Sequence, residues 1–291
     1  MDKPLIELKA LAVPLTKLVE VIARGMGNLY EPIGTVRNAK ADAKAMQIRA
    51  EAKLIMSDIR DRAKNRLDHR ELSRQENIEA ITSKAIAELP DEVSSEPVNQ
   101  DWITQFISRA QDVCDEDLQL IWARILAGEI SRPNTYSKRT LQFLETLDKT
   151  EAEELTRLCS MLVKVEENRH ILFSYREIST EIDTHVQRPR AIGHFTSLGL
   201  ISTEERTVGN ADVTGLQINY FDQIYEMNGP PKPEKRGPNM ITPLQLPISF
   251  RELTAMGQQL ASIANPERNT NFIETFKESM NQGYKVSIVQ K

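Results

Sequence analysis

The chain predicts a mainly α protein: a long N-terminal helix and a helical core, followed by a smaller α+β, winged-helix-like domain. Three observations predict it. The 14 Pro and 12 Gly are unevenly placed, with none between Thr35 and Leu89 and eight between Gly229 and Pro247. Apolar residues between 98 and 165 recur at helical spacing, whereas 166–291 mixes such stretches with short β-branched and aromatic runs. Charge is uneven as well. Residues 1–90 carry 16 Lys+Arg against 13 Asp+Glu, and the remainder 21 against 29. The predicted organisation is therefore 1–90, 98–165 and 166–291, with the acidic stretch Pro90–Pro97 as the first linker.

Composition narrows the function classes. At 40% hydrophobic and 27% charged, the chain is ordinary globular material, long enough to bury a core. Cys114 and Cys159 form no CxxC pair and no metal-ligand spacing, which points to a reducing compartment. No uncharged apolar run reaches the ~18 residues of a membrane span. Glu7, Lys9, Lys17 and Glu20 interrupt the N-terminus where a signal peptide would be continuous. The expectation is a cytoplasmic protein, with a peripheral position at the membrane as a variant. A net charge of −5 argues against a nucleic-acid binder that uses its whole surface, while leaving room for a local basic strip.

Residues 4–30 have amphipathic spacing. Leu8, Leu11, Leu15, Leu18, Val19, Ile22, Met26 and Leu29 share one face, with Lys9, Lys17, Glu20 and Arg24 opposite. Pro14 suits the first position of a helix. Three uses fit this segment: packing on its own globule, an oligomer interface, or a membrane surface. The mixed Glu and Lys polar face suits the last poorly.

The breaker-free stretch predicts a helix over about 35–72, followed by another around Gln75–Leu89. Ala41, Ala45, Ile48, Ala52, Ile55 and Ile59 step by alternating fours and threes, a short heptad whose small residues suit close helix approach. These six, three Ala and three Ile, are a candidate oligomer seam, so a homo-oligomer is expected. After Ile59 the stripe moves to Ala63 and Leu67. Arg49, Lys53, Arg60 and Lys64 form a candidate basic strip on another face, and Arg62, Arg66, Arg70 and Arg74 follow. The strip is readable as a solvated face, a phosphate- or lipid-facing surface, or a contact with an acidic part of a neighbouring subunit.

Between 98 and 165 four short helices are predicted. An Asp or Asn near Asp101 caps the first, and Asp115-Glu-Asp opens the second. Ser137 caps the third, and Thr150-Glu-Ala-Glu153 matches a capping box for the fourth. Trp122 and Leu126 read as core. Glu129 reads as a buried ion-pair partner of Arg132 or Arg139.

Here the chain resembles a known family. Asp101-Trp102, the run Asp115-Glu-Asp-Leu-Gln-Leu-Ile-Trp-Ala-Arg-Ile-Leu-Ala-Gly-Glu129 and the run Pro133-Asn-Thr-Tyr-Ser137-Lys-Arg-Thr-Leu141 look like a bacterial family of uncharacterised proteins. Leu-Tyr-Glu-Pro at 29–32 and the Ala-Lys-rich helix resemble it too. The resemblance singles out Asp101, Trp102, Asp115, Trp122, Glu129, Ser137 and Arg139 as family-motif residues. The central Trp-Ala core is also similar to that of phage abortive-infection proteins of the alpha type. That second likeness covers the core alone, and it implies bacterial antiviral defence.

For 166–291, Ile171–Tyr175 reads as a strand and Arg176–Asp183 as a helix. Gln187–Ile201 resembles a winged-helix recognition helix running into the wing, with Thr203–Asp212 as its turn. Arg188, Arg190 and His194 are its candidate nucleic-acid contacts. Val213–Tyr225 reads as strand-rich, 229–247 as a mobile loop, Phe250–Leu260 as a helix, Asn271–Asn281 as another and Tyr284–Val289 as a strand.

Catalytic signals are absent from the sequence. The four His residues share no HExxH spacing, and no GxxxxGK[ST], GxGxxG or GxSxG occurs. No cofactor or metal is expected. The leading functional expectation is a non-enzymatic oligomer of phage defence that acts through a partner protein. A winged-helix DNA-binding regulator and a membrane-active effector using residues 4–30 are the alternatives.

Overall fold

The computed structural model describes residues 12–26, 43–165, 169–208, 215–228, 248–281 and 285–289. Contacts divide the chain into two units, Met1–Glu145 and Thr146–Lys291.

The first unit is helical: α1 (Ala12–Met26), α2 (Ala43–Glu88), α3 (Gln100–Ala110), α4 (Glu116–Ser131) and α5 (Lys138–Thr146). Short polar side chains start these helices by accepting from otherwise orphaned amides. Asn99 Oδ1 accepts from the Trp102 N–H, Asp115 from those of Asp117 and Leu118, and Ser137 Oγ from that of Thr140. The core is aromatic at its centre. Trp102 stacks on Phe106 at 5.3 Å, and Phe106 meets Trp122 edge-on at 5.4 Å. Trp102 Nε1 donates to the Tyr136 carbonyl at 2.8 Å, so the one polar atom of that ring is paired.

α1 packs its Leu18 and Val21 inward. Gly25 permits this, because a Cβ there would lie 2.7 Å from both Ile103 and Ile107 of α3. Lys17 Nζ donates to the carbonyls of Ser94, Glu96 and Ile130 at 2.6, 2.7 and 3.1 Å. One ammonium thus ties α1 to the acidic linker and to α4. Burial lowers the Lys17 pKa.

α2 is a single helix of 46 residues, about 69 Å long at ~1.5 Å per residue. The sequence predicts a break between Leu72 and Gln75, and none occurs. No Gly or Pro is present to stop the ladder, and Ser73 and Arg74 carry it through.

The second unit contains α6 (Lys149–Cys159), β1 (Val163–Val165), β2 (Arg169–Phe173), α7 (Arg176–Val186), α8 (Ala191–Ser197) and β3 (Ile201–Val208). It continues with β4 (Leu216–Tyr220), β5 (Gln223–Asn228), β6 (Ile248–Leu253), α9 (Ala255–Ala261), α10 (Thr270–Asn281) and β7 (Lys285–Val289). The strands form one seven-stranded sheet in the order β3-β6-β2-β1-β4-β5-β7. Every neighbouring pair is antiparallel.

This sheet corrects the winged-helix expectation: the chain is α+β here, but the unit is not a winged helix. β3 runs on to Val208, where a wing would turn, and pairs with β6, so Arg206 lies opposite Phe250. The helix expected to read DNA, α8, has only seven residues. Phe250–Leu253, expected to be helical, is strand, because it is held between β2 and β3. β1 falls at the end of 98–165, the stretch expected to be wholly helical. The cap of α6 is Asp148, which accepts from the Glu151 N–H, and not Thr150. Leu253-Thr254-Ala-Met-Gly257 has a structural explanation. Thr254 Oγ1 caps α9 at the Gly257 N–H, and a Cβ on Gly257 would lie 2.1 Å from the Leu200 carbonyl oxygen.

Candidate functional site: the exposed stretch of the long helix

The two ends of the described part of α2 meet different surroundings. Ile78, Ile81 and Ala85 are buried against the rest of the helical unit. Polar clamps flank them. Arg74 grips Asp112 twice, Nε to Oδ1 at 2.7 Å and Nη2 to Oδ2 at 3.0 Å. Hydrogen bonding to Asp112 raises the Arg74 pKa. Asn77 Nδ2 donates to the Gln111 carbonyl at 2.9 Å, and Lys84 Nζ to Gln119 Oε1 at 2.7 Å. Gln119, itself buried, donates to Asn77 Oδ1 and to the Val113 carbonyl.

N-terminal to Ser73 the surroundings change. Every residue from Asp58 to Leu72 is exposed. That stretch includes Ile59 at 46%, Leu67 at 48% and Leu72 at 61%. Surface ion pairs along it, Asp58–Arg62 at 3.2 Å and Glu71–Arg74 at 3.2 Å, are of the i,i+4 and i,i+3 kind. Each is worth a few tenths of a kcal/mol, ~0.3–0.5. The helix persists there because its C-terminal half is nucleated on the core; propagation then adds a bond per residue. On the helical wheel, Ile59, Ala63 and Leu67 continue the side that carries Ile78, Ile81 and Ala85. The side that faces the core in one half faces solvent in the other.

The candidate residues from the sequence fare differently. Arg60 and Lys64 lie exposed on this stretch. Ala41 lies outside the described residues, and the side chains of Ala45, Ile48, Arg49, Ala52, Lys53 and Ile55 are likewise outside the description; Ile59 is exposed. Of residues 4–30, Leu18, Val21 and Gly25 are buried, while 4–11 and 27–30 lie outside the described residues, as does the loop 229–247.

The family-motif residues are placed in the helical core or at its caps. Trp102 and Trp122 are buried. Asp115 and Ser137 cap helices, Asp101 approaches Lys138 at 3.6 Å, and Arg139 is exposed. Glu129 is a correction. It pairs with neither Arg132 nor Arg139; its oxygens accept from the N–H groups of Asn134 at 2.7 Å and Tyr136 at 2.9 Å. Asn134 has φ 68°, so the carboxylate holds a turn with a left-handed residue in it. Burial raises the Glu129 pKa, against the pull of those amides and of Lys17.

Arg188, Arg190 and His194 do not assemble into a basic reading surface. Arg188 Nε binds Glu154 at 2.6 Å, and His194 Nε2 lies 3.7 Å from Glu151. The backbone N–H groups of Arg190 and Ala191 donate to Asp183, whose carboxylate starts α8. Two of the three side chains therefore face acids of α6.

Other chemistry-bearing groups in the second unit also have structural partners. Ser160 Oγ lies 3.1 Å from His185 Nε2, but it donates its single proton to the Arg157 carbonyl at 2.6 Å. The His nitrogen must then be the donor, which is the wrong polarity for activating a nucleophile. Burial pushes the Cys159 thiol up to about 12 and the Tyr220 phenol to about 12. Tyr220 Oη donates to the Ser160 carbonyl at 2.8 Å and accepts from the Asn269 N–H at 3.0 Å. Among the described residues, no group of three or more His, Cys, Asp or Glu is placed to hold a metal ion, and no helix is long and apolar enough to cross a membrane.

Sequence reasoning located the basic and apolar positions of α2 by spacing alone. It missed the clamp at Arg74, Asn77, Lys84 and Gln119, because these partners lie 34 to 42 residues apart and no local pattern links them. No curated protein and no solved structure matches the chain. A family model described as "Protein of unknown function (DUF2806)" matches residues 61–277, from the exposed stretch of α2 to α10. That span covers most of the chain, and the protein belongs to this family.

Proposed function

We propose that the protein is a non-enzymatic, oligomeric component of bacterial antiviral defence that acts through protein–protein contacts, with α2 as its contact element. The observation that carries the contact role is the exposed run Asp58–Leu72, which presents Ile59 and Leu67 on the side of α2 that is buried further along at Ile78, Ile81 and Ala85. An apolar row on an exposed helix side suits the helix-in-groove kind of protein contact. Self-association is assigned to the small-residue spacing of Ala41, Ala45, Ile48, Ala52, Ile55 and Ile59. The setting in phage defence rests on the similarity of the Trp122-Ala123 core to abortive-infection proteins of the alpha type. The test has two arms. Light scattering on the full chain should return a mass above one protomer. Deletion of the gene should raise phage plating efficiency on the host. A monomeric mass together with unchanged plating sinks the proposal.

A further inference from the structure

In the second unit one histidine is held in a single tautomer with a ring nitrogen to spare. The register of β2 with β6 runs from Phe173 to Ile171 and stops one residue short of His170. Gln258 of α9 takes the place of the missing strand neighbour. Its Oε1 accepts from the His170 backbone N–H at 2.9 Å, and its Nε2 donates to the His170 carbonyl at 2.8 Å. These two bonds fix which end of the amide is the oxygen. The same Oε1 lies 2.9 Å from His170 Nδ1. An amide oxygen only accepts, so Nδ1 carries the proton, and in the neutral ring Nε2 carries a lone pair. Burial lowers the His170 pKa and the Lys164 ammonium lowers it too, against the hydrogen bond to Gln258. Among the described residues nothing hydrogen-bonds Nε2, and it is not one of the enclosed polar atoms.

Two further polar side chains share its side of the sheet. Lys164 of β1 stands opposite His170, and Asn219 of β4 stands opposite Lys164. Residues directly opposite point to one face with Cβ atoms ~5 Å apart, so the three form a row of about 10 Å. Lys164 is exposed, and His170 and Asn219 are half-buried. Among the described residues neither Lys164 nor the Asn219 side chain has an ion-pair or hydrogen-bond partner.

The row dictates what it can hold. An unpaired ammonium calls for an anion. The lone pair on Nε2 calls for an O–H or N–H donor beside that charge, and Asn219 can give or accept. A metal cation would suit the free nitrogen, but Lys164 repels it. Nor is any group of three His, Cys, Asp or Glu placed to hold one among the described residues. A single-stranded nucleic acid needs rings to stack on. Phe173, Tyr220 and Tyr225 are buried on the other side of these strands.

We infer that His170, Lys164 and Asn219 form a binding site for a small anion that carries a hydroxyl or protonated oxygen beside its charge. Monohydrogen phosphate and an α-hydroxycarboxylate both have that chemistry. The site is independent of the contact role given to α2.

The test uses the full chain labelled with ¹⁵N-histidine and two matched pairs of anions near neutral pH. Phosphate keeps a P–O–H that sulfate lacks, and glycolate has a hydroxyl that acetate lacks. Long-range ¹H–¹⁵N spectra report the tautomer, with the His170 ring identified by its loss in His170→Asn. The expected result is the Nδ1–H form in the free chain. Phosphate or glycolate should then move Nε2, and the member of a pair with the proton should bind about tenfold tighter. Which pair responds tells a phosphate ligand from a hydroxy acid. Lys164→Met should weaken binding at least tenfold; the position is exposed, so the melting temperature should hold. His170→Asn keeps an N–H for Gln258 and removes Nε2. Followed on the backbone amides of Lys164 and Asn219, it should bring the two members of a pair level.

Three outcomes overturn the inference. One is an Nε2–H tautomer in the wild-type chain. Another is no response to phosphate or glycolate, or equal affinity within both pairs, which leaves only an adventitious counter-ion on Lys164. The third is binding that survives Lys164→Met, which places it elsewhere. The tautomer and the pair comparison are read on the wild-type chain, so a variant that fails to fold leaves both in force.

Discussion

The two ends of the described part of α2 share one backbone and one register, yet they are held by different physics. From Arg74 to Glu88 the helix is clamped by buried isoleucines, the Arg74–Asp112 pair and the Gln119 amide network. From Asp58 to Leu72 nothing in the described chain covers it. The composition of the two ends differs less than their surroundings do, since both carry Ile or Leu at helical spacing among many charges. A helical stripe therefore says which side of a helix is apolar. Whether that side faces its own core or a partner depends on where the rest of the chain folds.

The largest expected effect makes this contrast quantitative. Ile81 is 1% exposed, and Ile81→Asp should cost about 4 kcal/mol or more, from lost burial together with a carboxylate placed in an apolar site. Leu67→Asp, the same kind of insult on the same side of the helix, should change stability by less than about 0.5 kcal/mol. Urea unfolding of the two variants beside wild type measures both. A cost at Leu67 comparable to that at Ile81 would mean that Asp58–Leu72 is covered within the protein's own assembly.

A smaller effect locates the border between the regimes. The Arg74–Asp112 pair is the first contact to another element met on moving along α2 from the exposed stretch Asp58–Leu72 toward Glu88. Its two-point geometry puts it at the upper end for a partly exposed pair, about 1 kcal/mol. The Arg74→Ala, Asp112→Ala double-mutant cycle should return a coupling of about that size that shrinks in high salt. A cycle on Arg62 with Asp58, where both side chains are about two-thirds exposed, should return a few tenths, ~0.3 kcal/mol. Equal couplings would erase the border drawn at Ser73.

Legibility in the sequence followed the range of the interaction. The helical character of α2, the caps at Asp115 and Ser137 and the aromatic core around Trp122 are written in spacings of three to seven residues, and the sequence shows them; that α2 runs unbroken past Leu72 it does not. The seven-stranded sheet is not written locally. β2 pairs with a segment about 80 residues away, Phe173 opposite Phe250, and β3 pairs with that same segment from the other side. A helix, a second short helix and a strand in succession resemble the start of a winged helix until β6 arrives between β2 and β3. Asp183 and Glu154 show the same limit at a candidate site. Both take up groups from the stretch Arg188–Ala191, which the sequence alone leaves free to meet DNA.

The smallest effect concerns a charge that sits on the buried side of the contrast. Glu129 is 1% exposed, near the end of the helix against which α2 packs, and its raised pKa comes first from burial. Its folded value lies above the unfolded one, so the sign follows from proton uptake. Between the usual carboxylate range and the raised value, the folded state holds a proton that the unfolded state has released. The stability this group adds is fully present below the unfolded value and is lost as pH rises through the folded one. In Glu129→Gln that titration is gone. The variant is isosteric, but it places an amide N–H₂ against one of the N–H groups of Asn134 and Tyr136, so it should be less stable than wild type at every pH. The gap should widen in favour of wild type as pH falls from 7 toward 4.5, read as the difference between urea midpoints. A gap that narrows on acidification would show that the backbone donors outweigh burial and that Glu129 is held ionised. Leu67→Asp in the same series isolates the buried group, because its new carboxylate stands in solvent and gives no comparable widening.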